Sequence, residues 1–125
     1  MRKQYNLRPS KEGLKAWDVH RLIELSKDFP VKHILLSEIN EVNEAYWFQD
    51  PNQLPTCAEI LEHIKLIQEV DLEYPIILCA NGRLMDGMHR VMKALQLGHT
   101  DIKVVQFEIT PEPDFIGIPA DELPY

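Results

Sequence analysis

The sequence predicts an α+β domain in which a small mixed sheet is flanked by helices. Two observations carry that prediction. Short apolar runs of strand length (VKHILLSEI, YPIILC and IKVVQFE) are separated by stretches whose apolar residues recur at helical spacing. The 125 residues, 45% hydrophobic and 26% charged, suffice for one core and not for two.

From the N-terminus, Leu14 and Trp17 stand three apart, as do Leu22 and Leu25 with Ile23 between them, which predicts amphipathic helix over Leu14–Ser26 on each side of Asp18, a candidate N-cap. Residues 1–30 are therefore expected to be a helical extension. A strand is expected over Val31–Leu36, after Phe29-Pro30. An acidic loop carrying Glu38, Glu41 and Glu44 follows. Its Tyr46-Trp47-Phe48 cluster has two readings: a stacking surface for a base or substrate ring, or burial of the loop against the first helix. Thr56 and Glu59 have capping-box spacing ahead of Ile60, Ile64 and Ile67, which predicts a core-burying helix over Thr56–Val70 with His63 at its boundary.

YPIILC, then Asn81-Gly82, then Arg83–Met85 predicts a tight hairpin with a type I′ turn. MHRVMKALQL then reads as a helix closed by Gly98 at C′, and Ile102–Glu108 as a strand with one covered face. Residues 110–125 hold four of the nine prolines and four acids with no Lys or Arg. Prolines bar a helix there, while Phe115, Ile116, Ile118, Leu123 and Tyr125 make the segment too apolar for a disordered tail. It is expected to lie extended across the domain or across a partner subunit.

Twenty Asp and Glu against 13 Lys and Arg give a net charge of -7, which disfavours the broad positive field of a duplex-binding protein. Four of those acids belong to the C-terminal segment, so the preceding residues are nearly balanced. No run reaches membrane-span length and MRKQYNLRPSKEG has no apolar stretch behind its charges, so a cytoplasmic protein with no membrane partner is expected. Cys57 and Cys79 lack CxxC spacing and are expected as buried reduced thiols. His20, His33, His63, His89 and His99 include no i, i+4 pair, so no His/Cys metal site is expected.

Chemistry concentrates at Asp86-Gly87-Met88-His89-Arg90. A glycine that lets a ligand approach the backbone, a helix N-terminus with unpaired N–H groups, and adjacent cationic side chains are the parts of a phosphate site. A plainer reading has Asp86 as the helix N-cap, Gly87 as a tight turn and Arg90 reaching to solvent.

The stretch YPIILCANGRLMDGMHRVMKALQLGHTDIKVVQFE resembles the ParB N-terminal/sulfiredoxin superfamily, with its PI strand, hairpin glycine, DGxHR box, helix, LG and final strand. VKHILLSEI is similar to the opening strand of that fold, so the likeness spans residues 31–108, leaving 109–125 as a C-terminal extension. The resemblance implies a nucleotide-binding domain in which Gly87, Met88, His89 and Arg90 cradle the phosphates of ATP, ADP or CTP, with Mg2+, and Arg83 reaches the same pocket. Met88 stands where sulfiredoxins carry their catalytic cysteine, and a thioether cannot be a thiolate nucleophile. At this length the DNA-binding domain of a partitioning protein is not expected.

DGMHR is closest to the box of ADP-dependent free serine kinases, which implies phosphoryl transfer to a small-molecule acceptor, or nucleotide hydrolysis. Such transfer needs positioned positive charge and a group that orients or deprotonates the acceptor. Glu41 is the expected base by loop position, with Asp86 as a second base or Mg2+ contact. The alternative is a non-catalytic regulatory module of the same fold, with the C-terminal segment serving a partner or homodimer interface.

Overall fold

The computed structural model describes residues 3–125; the first two residues of the expected N-terminal extension lie outside the described residues. Strand β1 (Tyr5–Arg8) pairs antiparallel with β2 (Lys15–Asp18), and α1 (Val19–Ser26) follows directly. The expected helix from Leu14 therefore starts only at Val19, and residues 15–18 are strand. Asp18 does cap the helix, accepting the His20 N–H at 2.9 Å. Trp17 explains the shift, because in an extended segment it points into the core, where it is buried with Leu22, Ile77 and Phe107.

The central sheet has the order β3 (Lys32–Leu35), β6 (Asp101–Gln106), β4 (Ile76–Leu78) and β5 (Leu84–Asp86). The β6–β4 pair is parallel and its neighbours are antiparallel, so the sheet is mixed as expected. It is covered on both faces rather than one. Ile76, Leu78, Ile102 and Val104 face α3 (Met88–Gln96) and the 3-10 turns Leu36–Glu38 and Asn40–Asn43. Ile77, Cys79, Val105 and Phe107 face Trp17 and Leu22. Strands this apolar read as buried on both sides.

The hairpin exists, but its turn is not type I′. Among the described residues only glycines have positive φ, so Asn81 does not enter the left-handed region that such a turn demands of both central residues. Cys79 O accepts from Gly82 N–H at 2.9 Å and Cys79 N–H donates to Arg83 O at 2.8 Å, with Gly82 at φ +80°, the form of a longer loop closed by one left-handed glycine. Helix α3 ends as predicted at Gly98: His99 N–H reaches Ala94 O and Gly98 N–H reaches Leu95 O, the paired bonds of a Schellman motif.

Helix α2 (Cys57–Glu69) forms with Thr56 accepting the Glu59 N–H at 3.1 Å. It does not bury a core face, since none of its residues is buried. Lys93 of α3 donates to Gln68 O and Val70 O at its C-terminal end. Cys57 at its start is exposed, against expectation, whereas Cys79 is buried; both thiols are unpaired.

The proline-rich segment lies extended on this same chain. Strand β7 (Phe115–Ile116) adds antiparallel to β2 as an edge strand, and Leu123 is buried. Among the described residues no helix is long and apolar enough to cross a membrane.

Candidate functional site

The turn from β5 into α3 is built around Gly87, the helix N-cap at φ +112°. A Cβ there would lie 2.6 Å from Ile76 Cγ2, so strand β4 sits too close for any side chain. The first intrahelical bond is Val91 N–H to Gly87 O. The N–H groups of Met88, His89 and Arg90 precede it and lack intrahelical acceptors.

The plainer reading of this box fails in two places. Asp86 does not cap the helix; its Oδ2 accepts from Arg90 Nη2 at 2.9 Å. Arg90 does not reach to solvent but folds back to Pro75 O at 3.4 Å, both partners of the ion pair being largely buried. Arg90 therefore neutralises Asp86 behind the helix start. Its positive charge is spent inside the fold.

Above the helix start lies a cleft of about 330 Å³ lined by Asp86, Gly87, Met88 and His89 on one side and by Lys3, Tyr5, Asn6 and Tyr125 on the other, with Tyr46 and Trp47 at its wall. Met88 contributes little surface, being buried in the core. His89 Nε2 lies 2.8 Å from His63 Nδ1 of α2, and Trp47 stacks on both rings, 4.5 Å from His89 and 4.0 Å from His63. The aromatic cluster is partly buried: Tyr46 and Trp47 pack against the core formed by the central sheet and α3, and Trp47 stacks on the two histidines that join α2 to α3. Burial depresses the His89 pKa to about 4, assisted by His63 and Arg90, and burial also lowers that of His63. The pair is neutral at pH 7, with one ring donating and the other accepting.

The other predicted residues gather one wall away. A second cleft of about 480 Å³ is lined by Arg8, Glu44, Arg83 and Gln49 among others, and shares Asn6 and Tyr46 with the first. Arg83 forms a bidentate pair with Glu44, both contacts 2.8 Å, which lowers the Glu44 pKa. Glu41 is only 2% exposed. Its carboxylate accepts the Leu84 N–H and lies 3.7 Å from Arg83 Nη1. The expected base is therefore a buried tie between the acidic loop and β5, and Glu41 and Arg83 do not line the cleft at Gly87. Among the described residues no group of three or more His, Cys, Asp or Glu side chains is arranged to hold a metal ion.

At the wall between the clefts Tyr46 of the aromatic cluster meets Asn6, a residue with no expected role. Asn6 is 5% exposed and donates through Nδ2 to Tyr46 Oη at 3.1 Å, while its Oδ1 has no partner among the described residues. Tyr46 has its pKa pushed up to about 12 by burial, with Asp86 and Glu41 adding to the effect, so its hydroxyl keeps its proton. The only sequence signal for Asn6 was the alternation in YNLR, a polar residue between two apolar ones.

No known family model matches the chain, and no solved structure matches it. Among curated proteins, the transcriptional regulator NovG of Streptomyces niveus is similar, at 35% identity over 68 residues. That match covers 53% of this chain and 21% of the regulator, so the chain spans about a fifth of the relative's length.

Proposed function

We propose that the cleft above Gly87 binds a nucleotide through its phosphates, and that the chain is a ligand-sensing module rather than a phosphotransferase. The carrying observation is the convergence in one cleft of the α3 N-terminus and Lys3, walled by Tyr5 and Trp47. Unpaired N–H groups and a positive helix dipole favour a phosphate. Lys3 adds a cation 3.5 Å from Asp18 and partly exposed, hence able to turn to a ligand. Flat aromatic faces suit a base, and Asn6 Oδ1 is an acceptor left over for an amino or hydroxyl group. Mg2+ would enter with the phosphates, which supply most of its oxygen ligands.

Binding without turnover is favoured by how the candidate bases are used. Asp86 is paired with Arg90 and Glu41 with the Leu84 N–H. A general base must reach the proton it takes, and neither carboxylate is disposed to do so. The relative named as a transcriptional regulator supports the sensing reading, because it carries a segment like this one inside a much longer protein.

Calorimetric titration with ATP, ADP and CTP, with and without Mg2+, tests the proposal alongside a phosphate-release assay. Binding of at least one nucleotide, weakened by Lys3→Glu, with no release of phosphate, is the expected result. A folded chain that binds none of the three overturns the proposal. Binding with turnover keeps the cleft but replaces sensing with phosphoryl transfer or hydrolysis.

A further inference from the structure

We infer that the cleft between β1 and the acidic loop is a second binding site, which takes a small monocarboxylate with an aliphatic body and holds it through Arg8. Asn6 and Arg8 stand two apart in β1, so their side chains leave the same face of the strand. Both reach Leu84 O, Asn6 through Nδ2 at 3.5 Å and Arg8 through Nη2 at 3.4 Å, and Tyr46 Oη meets the same oxygen at 3.5 Å. A good N–H to O bond is about 2.9–3.0 Å long. Three donors thus crowd one carbonyl, and none of them is well served by it. Donors in excess on a cleft wall suit an acceptor supplied from outside.

Arg8 decides the charge of that acceptor. Its other hydrogen bond, Nη1 to Cys79 Sγ at 3.5 Å, is not with a carboxylate, and it makes no ion pair among the described residues. Its guanidinium lies over the Trp17 ring, 5.3 Å from the centroid, and Trp17 and Cys79 are both buried. The fork is therefore held in place before any ligand arrives, and a fixed planar fork matches the two oxygens of a carboxylate. Arg83, the other cation lining the cleft, is already matched by Glu44, so one positive charge is left over. Glu44 would repel a second negative charge, which favours a monoanion over a phosphate. Leu7, Pro9, Ala45 and Leu84 give the cleft of about 480 Å³ an apolar lining for the rest of the ligand. This site shares only the Asn6 and Tyr46 wall with the cleft above Gly87 and does not rest on nucleotide binding there.

Titration of the full chain with butyrate, followed by nuclear magnetic resonance at constant ionic strength and without nucleotide, tests this. Saturable shifts of the Asn6 side-chain amide and the Arg8 Nε–H are expected, with a Kd of roughly a millimolar. Arg8→Gln should weaken binding by about tenfold or more. Glu44→Gln, which frees Arg83, should tighten it by about threefold or more, so the inference stays open to test even if Arg8→Gln fails to fold. Butan-1-ol, which has the same body without the charge, should give no saturable shift, and inorganic phosphate should not displace butyrate. A folded chain that shows no saturation up to about 50 mM butyrate overturns the inference. So does binding that neither Arg8→Gln nor Glu44→Gln changes, which would place the anion elsewhere. Equal binding of butan-1-ol, or displacement by phosphate, overturns the assignment to a carboxylate.

Discussion

His63 Nδ1 and His89 Nε2 meet at 2.8 Å under the Trp47 ring, so the contact that joins α2 to the start of α3 can exist only while at least one of the two rings is neutral. Burial holds the folded pKa of His89 at about 4 and lowers that of His63, whereas in the unfolded chain a histidine titrates near ~6.5. Between those values the unfolded chain binds more protons than the folded one. Stability is therefore complete above the unfolded pKa and falls as pH drops from ~6.5 toward 4. The loss attributable to this pair between pH 7 and 5 is expected to be about 1–2 kcal/mol, after allowance for solvent screening. Urea unfolding at the two pH values checks it. His89→Gln should show a shallower pH dependence than the unmodified chain, and an equal slope would remove the pair as its source.

Gly87→Ala is expected to destabilise by about 2–3 kcal/mol, since alanine resists a φ of +112° and its Cβ would sit 2.6 Å from Ile76 Cγ2. Ile76 is fully buried at the centre of the sheet and cannot retreat cheaply. The urea midpoint reads the loss. An Ile76→Ala, Gly87→Ala double variant, which opens room for the new methyl, should cost less than the sum of the singles.

Glu41 leads to a test that separates structure from chemistry. Removing its carboxylate in Glu41→Ala strands the buried Leu84 N–H and unties the acidic loop from β5, at an expected cost of about 2–4 kcal/mol. Glu41→Gln keeps an acceptor for that N–H and loses only the charge facing Arg83, so about half that loss is expected. Equilibrium unfolding distinguishes the two variants. If Glu41→Gln were as stable as the unmodified chain yet lost a phosphoryl-transfer activity, Glu41 would belong to the chemistry after all.

The central sheet was legible because its strands are apolar runs broken by Pro75, Asn81-Gly82 and Gly98, each of which marks a real boundary. The β1–β2 hairpin was not, because Leu14 and Trp17 stand three apart, as do Leu22 and Leu25, although Trp17 lies in a strand; spacing alone cannot separate the two when the apolar residues span a strand–helix junction. Helix α2 was legible as a helix and misleading as a core element, since an amphipathic stripe reports that a face is apolar and not what covers it. At the site, Asp86 and Arg90 were chosen for their charge. The tight turn at Gly87 brings Asp86, the last residue of β5, against Arg90 in the first turn of α3 and makes them each other's partners, which residue type does not reveal. The neutral histidine pair was beyond sequence, because 26 residues separate His63 from His89 and only packing of α2 on α3 unites them.

The C-terminal segment is held to the hairpin by Asp114, whose Oδ2 accepts the Asp18 N–H and whose Oδ1 pairs with Arg21 Nη1, both at 2.7 Å. Trp17 Nε1 donates to Pro111 O at 2.8 Å and Arg21 Nη2 to Glu112 O at 3.0 Å, so the side-chain bonds to β2 and α1 fall within residues 111–114. The ion pair is partly exposed, and such pairs contribute modestly; the carboxylate bond to a backbone N–H adds to it. Asp114→Ala is thus expected to cost about 1–2 kcal/mol. The loss should be local, because β7 makes only two residue pairings and sits at the edge of its sheet. Limited proteolysis should cut Asp114→Ala faster between residues 110 and 118, while amide exchange of β4 and β6 stays as slow as in the unmodified chain. If exchange in those central strands quickened equally, the segment would be part of the cooperative core rather than a strap laid over it, since only then would releasing it open the sheet.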